Sequence, residues 1–138
     1  MRKLCLLIFP LLLLNISCGT FNNRYHFFGG AVENDTENVA LLLCTEHISI
    51  RAINGQRVNF NRTTGDKVIY LPAGEYAFTV RYRQYFPGAQ KTLYTNDVNL
   101  NPYTLDGGKH YVLMVITMLE DQAIFILRER ASPIDTSI

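Results

Sequence analysis

This sequence has little of what usually marks an enzyme or a metal protein. There is no Cys-x-x-Cys or His-x-His pair, and its three histidines, His26, His47 and His110, stand in separate segments. Structural zinc needs clustered thiolate and imidazole ligands at tight spacing, so no metal site is expected. No Gly-x-Ser-x-Gly turn is present to expose a serine nucleophile. Ser49 falls in an alternating strand, and Ser132 and Ser137 lie near the C-terminus. Carboxylates such as Glu120-Asp121 sit in turn-forming sequence, where solvated charge accounts for them. Catalysis is therefore not expected, and neither is a cofactor. Charge of one sign is missing as well. The formal net charge of +1 argues against nucleic acid, which requires clustered basic surface. Internal repeats and low-complexity tracts are also lacking. Beyond residue 17 no apolar run is long enough to cross a hydrocarbon core of ~30 Å as a helix.

What is present begins with a leader. Arg2 and Lys3 precede an apolar run, Leu4 to Leu14, of about ten residues, which suits a secretory signal and is too short for a span. The next residues, Leu14-Asn15-Ile16-Ser17-Cys18-Gly19, resemble the bacterial lipoprotein signal. There a small residue precedes a cysteine that is acylated and becomes the new N-terminus. The resemblance implies loss of residues 1–17 and a diacylglycerol on Cys18, often with a further N-acyl chain such as palmitate. Each buried CH₂ contributes about 0.8 kcal/mol, so two or more chains anchor stably. Asn15 stands where that signal carries an aliphatic residue. Ordinary signal cleavage is the competing reading, and Asn15 fits it poorly as well, because it wants a small residue there. Gly19 replaces the aspartate that some bacteria read as an inner-membrane retention signal, so the outer membrane or cell surface is the expected location. Cys5 is discarded with the leader, and Cys44, inside an apolar run, reads as a buried, inert thiol. A Cys18–Cys44 disulfide would compete with acylation.

Residues 18–38 read as a tether rich in Asn, Gly and acidic turn formers. Fully extended, twenty such residues reach roughly 65 Å. Phe21, Tyr25, Phe27 and Phe28 interrupt it. They either dip into the headgroup region or form a short strand packed on the domain, the second being favoured. Residues 39–131 read as an antiparallel β-sandwich of about seven to nine short strands, and 132–138 as a flexible tail. The organising stretch is Lys67 to Arg83: a strand, a Pro-Ala-Gly corner and a longer strand. In it Tyr76, Phe78, Val80 and Tyr82 alternate with mostly polar residues, placing a wall of apolar side chains on one face. Val39–Thr45 is apolar on both faces, as a central strand would be. Asn54-Gly55 between His47–Ile53 and Gln56–Phe60 is a strong hairpin signal, since both residues accept positive φ. Thr92–Leu100 reads as an edge strand, and Lys109–Leu119 with Ala123–Leu127 as the closing pair.

The runs Ile50-Arg-Ala-Ile-Asn-Gly-Gln-Arg-Val58, Leu71-Pro-Ala-Gly-Glu-Tyr-Ala-Phe-Thr-Val80 and Gly108-Lys-His-Tyr-Val-Leu113 resemble PEGA-type and related carboxypeptidase-regulatory-like β-sandwich modules of bacterial envelope proteins. The resemblance spans about Ile48 to Val115 and implies a display or interaction scaffold without shared catalytic residues. The longer loop at Gln84 to Gln90 departs from it. The best candidate binding surface is basic and aromatic: Arg81 and Arg83 on one strand face, with Tyr85, Phe86 and Lys91 at the adjoining loop. It would suit an anionic or glycan ligand, although long arginines also keep exposed sheet from sticking. The expectation is a non-enzymatic lipoprotein of the cell envelope, attached to a membrane through Cys18 and binding an envelope protein or glycan. The alternative is a secreted or periplasmic ligand-binding or inhibitor module that uses the Arg81/Arg83 face and the 84–91 loop.

Overall fold

A computed structural model describes residues 24–60, 65–119 and 122–136. Its strands are, in chain order, β1 (Tyr25–Phe27), β2 (Val39–Cys44), β3 (Ile48–Ile53), β4 (Gln56–Arg57), β5 (Lys67–Pro72), β6 (Gly74–Tyr76), β7 (Phe78–Phe86), β8 (Lys91–Tyr94), β9 (Val98–Asn99), β10 (Tyr103–Leu105), β11 (His110–Leu119) and β12 (Gln122–Glu129). The leader, Cys18, Phe21, the Asn61–Thr64 part of the loop before β5, the Glu120-Asp121 turn and Ser137 lie outside the described residues.

One sheet runs β1-β5-β2-β11-β12 and a second β4-β3-β7-β8, with β9 beside the start of β7; β6 and β10 form a small pair. The protein is an all-β sandwich. Most pairings are antiparallel, but β1 runs parallel to β5 and β2 runs parallel to β11. The strands outnumber the seven to nine expected because short pieces of two or three residues flank the long ones.

Why the chain folds this way follows from its alternation. Ala40, Leu42, Cys44, Ile69, Leu71, Tyr111 and Leu113 from the first sheet meet Ile48, Ile50, Ile53, Phe78, Val80 and Tyr82 from the second, all buried. The Pro72-Ala73-Gly74 corner is no hairpin. It carries the chain from one sheet to the other, so that β5 and β7 face each other across the core. Asn54 (φ 50°) and Gly55 (φ 76°) take the positive-φ turn expected between β3 and β4. The return strand stops after Arg57, far short of Phe60.

The other residues of β2 and β5 point outward and are also covered. Val39, Leu41, Val68 and Tyr70 form a second buried cluster with Ala31 and Ile134. Residues on both sides of the expected 39–131 domain thus pack on it. Val68 donates its N–H to the Arg24 carbonyl (2.8 Å), extending the β1 pairing, so the segment expected as tether joins the sheet from residue 24. In the expected tail, Ile134 is 4% exposed and its N–H donates to His110 Nδ1 at 2.8 Å. The apolar Ile134 side chain explains the docking: it completes the cover over the outer face of the first sheet.

Candidate functional site

The second sheet divides the residues expected to form one surface. Along β7, Arg81, Arg83 and Tyr85 are exposed on the outer face. Phe86 pairs with Lys91 at the far end of the strand, on the opposite face by strand alternation. Arg81 is already engaged. Its Nε and Nη2 both donate to Asp97 Oδ1 at 2.8 Å, a half-exposed ion pair worth about 0–1 kcal/mol. The break between β8 and β9 creates that contact: Tyr82 N donates to Thr95 Oγ1 (3.0 Å), and the detour places Asp97 beside Arg81. Arg83 has no ion pair among the described residues and lies opposite Tyr94, which is 65% exposed. What remains of the expected patch on that face is therefore Arg83 with Tyr85, and the structure adds Tyr94 beside them.

Sequence reasoning missed the adjoining cavity. Strand β4 covers only Ala52 and Ile53, leaving the first half of β3 without a ladder partner on that side among the described residues. A bulge between Ile50 and Ala52 turns Arg51 out of register, and Val58 N donates to the Arg51 carbonyl at 3.1 Å. Along this open edge lies a cavity of about 300 Å³. Lys67, Arg51, Arg81, Arg83 and His47 line it, with Ile50, Ile69 and Phe60 as apolar wall and Glu46 as its carboxylate.

Lys67 is the unusual member. It opens β5 opposite Cys44, is only 8% exposed, and has no carboxylate or hydrogen-bond partner among the described residues. The alternation that points Ile69 and Leu71 into the sandwich points Lys67 there too. Two further nitrogens near this end, Arg24 Nε and His26 Nε2, are buried without a hydrogen-bond partner among the described residues. The His26 ring lies against Phe60 at 4.6 Å between centroids. Burial, and then the charge of Lys67, hold the His26 pKa below its ordinary value. Beside them the Cys44 thiol donates to the Ile48 carbonyl (3.5 Å), and burial pushes its pKa up to about 12, so it stays a neutral, unreactive thiol. The signal that could have exposed this site was a lysine at the start of an otherwise apolar strand.

Among the described residues no three His, Cys, Asp or Glu side chains gather as metal ligands, and no helix is long and apolar enough to cross a membrane. Cys18 lies outside them. Compared with known proteins, the chain matches no family model, no curated protein and no solved structure.

Proposed function

We propose that this chain is a non-enzymatic lipoprotein of the cell envelope, anchored through acylated Cys18, whose β-sandwich is a binding module held close to the membrane. The observation that carries this reading is the short lead between anchor and domain. The lipoprotein-like Leu14–Gly19 segment is followed at Arg24 by chain already hydrogen-bonded to β5. Six residue steps extend to roughly 20 Å at most, so the sandwich is presented at the surface and not at the end of a long stalk. Turn chemistry resembling PEGA-type modules supports the same class of display domain. The outer membrane or cell surface is the proposed location. Metabolic labelling with a fatty-acid analogue tests the anchor: wild type takes up label and Cys18→Ala does not. A wild type as unlabelled as the variant overturns it.

A second reading, a soluble ligand-binding or inhibitor module, is favoured by the exposed rings of Tyr85 and Tyr94 beside Arg83, which has no ion pair among the described residues. It predicts that Arg83→Glu with Tyr94→Ala ends capture of an envelope partner while thermal unfolding stays unchanged. Undiminished capture by that variant rejects it.

A further inference from the structure

We propose that the cavity along the open edge of β3 binds a phosphate-type oxyanion. Its cations come from three strands: Arg51 from the β3 bulge, Lys67 from the start of β5 and Arg83 from the middle of β7. They converge because β4 is too short to close the edge, so the site is a product of the fold and not of one basic run. The electrostatics are unbalanced. Arg81 is offset by Asp97, which leaves Arg51, Lys67 and Arg83 with the exposed Glu46 as the one carboxylate among the described lining residues and Asp66 close by, its charge reaching Cys44. Asp66, the nearest other acid in sequence, accepts the Glu46 N–H at 3.0 Å.

Lys67 decides the matter. The Lys67 side chain is nine-tenths buried, lines the cavity and has no ion pair among the described residues, so an anion drawn into the cavity supplies a partner for its ammonium. The apolar wall of Ile50, Ile69 and Phe60 lowers the local dielectric and strengthens that attraction. Two guanidinium forks and one ammonium approaching from different strands suit a tetrahedral oxyanion better than a planar carboxylate, which one fork satisfies alone. A volume of about 300 Å³ is at the small end of ligand sites, enough for a phosphate carrying a modest organic group.

The phosphate has two possible sources, a lipid headgroup or a soluble ester. The chain enters the sandwich at Arg24, beside Lys67, so the cavity lies at the anchored end if Cys18 is acylated. Only the headgroup source rests on that anchoring.

The test uses the chain from residue 18 onward, which holds all the described structure, with Cys18→Ala so that no anchor contributes. Calorimetric titration with inorganic phosphate and pyrophosphate is expected to show saturable binding. Lys67→Met and Arg83→Gln should each weaken it about tenfold or more, the loss typical of one charge-assisted contact. Arg128→Gln, an exposed arginine on β12, should leave it unchanged. If Lys67→Met fails to fold, the exposed Arg83 still reports on the site. No saturable binding overturns the proposal. So does binding that Arg83→Gln leaves intact, or that Arg128→Gln weakens equally. Sedimentation with phosphatidylcholine vesicles, with and without phosphatidic acid, then identifies the source. Capture that needs phosphatidic acid and is displaced by pyrophosphate means a headgroup; pyrophosphate binding without vesicle capture means a soluble ester. Either supports the oxyanion site, and neither depends on whether Cys18 is acylated.

Discussion

His110 ties the C-terminal segment to β11 through one ring nitrogen. Its Nδ1 accepts the Ile134 N–H at 2.8 Å, a contact available only while that nitrogen is unprotonated. Burial, and then the positive charge of Arg130, hold its pKa below the ordinary 6.5. His26 is shifted in the same direction by burial and Lys67. As pH falls the unfolded imidazoles take up protons first, so their contribution to stability is fully present above about pH 6.5. It declines from there down to the lowered folded values. Amide exchange at Ile134, corrected for its intrinsic rate, should therefore be faster relative to β7 at about pH 5 than at about pH 7. His110→Phe should show fast exchange at both. A pH-independent wild type would remove the histidine from the account. Nothing in the sequence pointed to this contact, because His110 and Ile134 are joined only by tertiary packing.

Elements were legible where the cause was local. Asn54-Gly55 could be read as a turn because positive φ belongs to those residue types wherever they occur. What the turn does was not legible. Asn54 N donates to the Ala77 carbonyl (2.8 Å), Ala77 N donates to Asn54 Oδ1 (2.8 Å) and Asn54 Nδ2 donates to the Glu75 carbonyl (3.4 Å). The hairpin tip thus fastens the link between β6 and β7, and Asn54→Ala should lower stability by about 1–3 kcal/mol in chemical denaturation. Glycines separate in the same way. A Cβ on Gly107 would stand 2.2 Å from the Glu37 carbonyl oxygen, because the loop before β11 passes under that backbone to begin the parallel pairing with β2. Around Gly88 there is open space and no positive φ. Gly107→Ala should lower the midpoint of thermal unfolding markedly, and Gly88→Ala within about 0.5 kcal/mol of wild type. Equal midpoints would mean the Glu37–Gly107 crossing can relax freely. The parallel pairs themselves escaped sequence reading, since alternation specifies which face is buried and not which distant strand lies alongside.

At the scale of the whole molecule, alternation along β7 was enough to place Phe78, Val80 and Tyr82 between two sheets. It could not foresee that the first sheet is covered on both sides. Nor could it show the cavity beside Lys67, which depends on how far the β3–β4 hairpin fails to extend. The protein consequently has two apolar layers of unequal standing. Phe78 is 1% exposed in the layer between the sheets, while Ile134 seals the outer layer over Val39, Leu41, Val68 and Tyr70. Phe78→Ala removes a ring from closely packed interior and should cost about 3–5 kcal/mol, loosening every strand together. Ile134→Ala should cost about 2 kcal/mol, because solvent reaches the vacated site and only residues 131–136 and the outer cluster lose cover. Native-state hydrogen exchange distinguishes the two. Phe78→Ala should lower protection by the same free energy in β2, β3, β7 and β11. Ile134→Ala should lower it in β1 and at the outward positions of β5, with β3 and β7 retaining wild-type protection. A uniform loss in both variants would make the outer layer an integral part of a single cooperative core, and residues 24–38 and 131–136 as indispensable to folding as the organising stretch from Lys67 to Arg83.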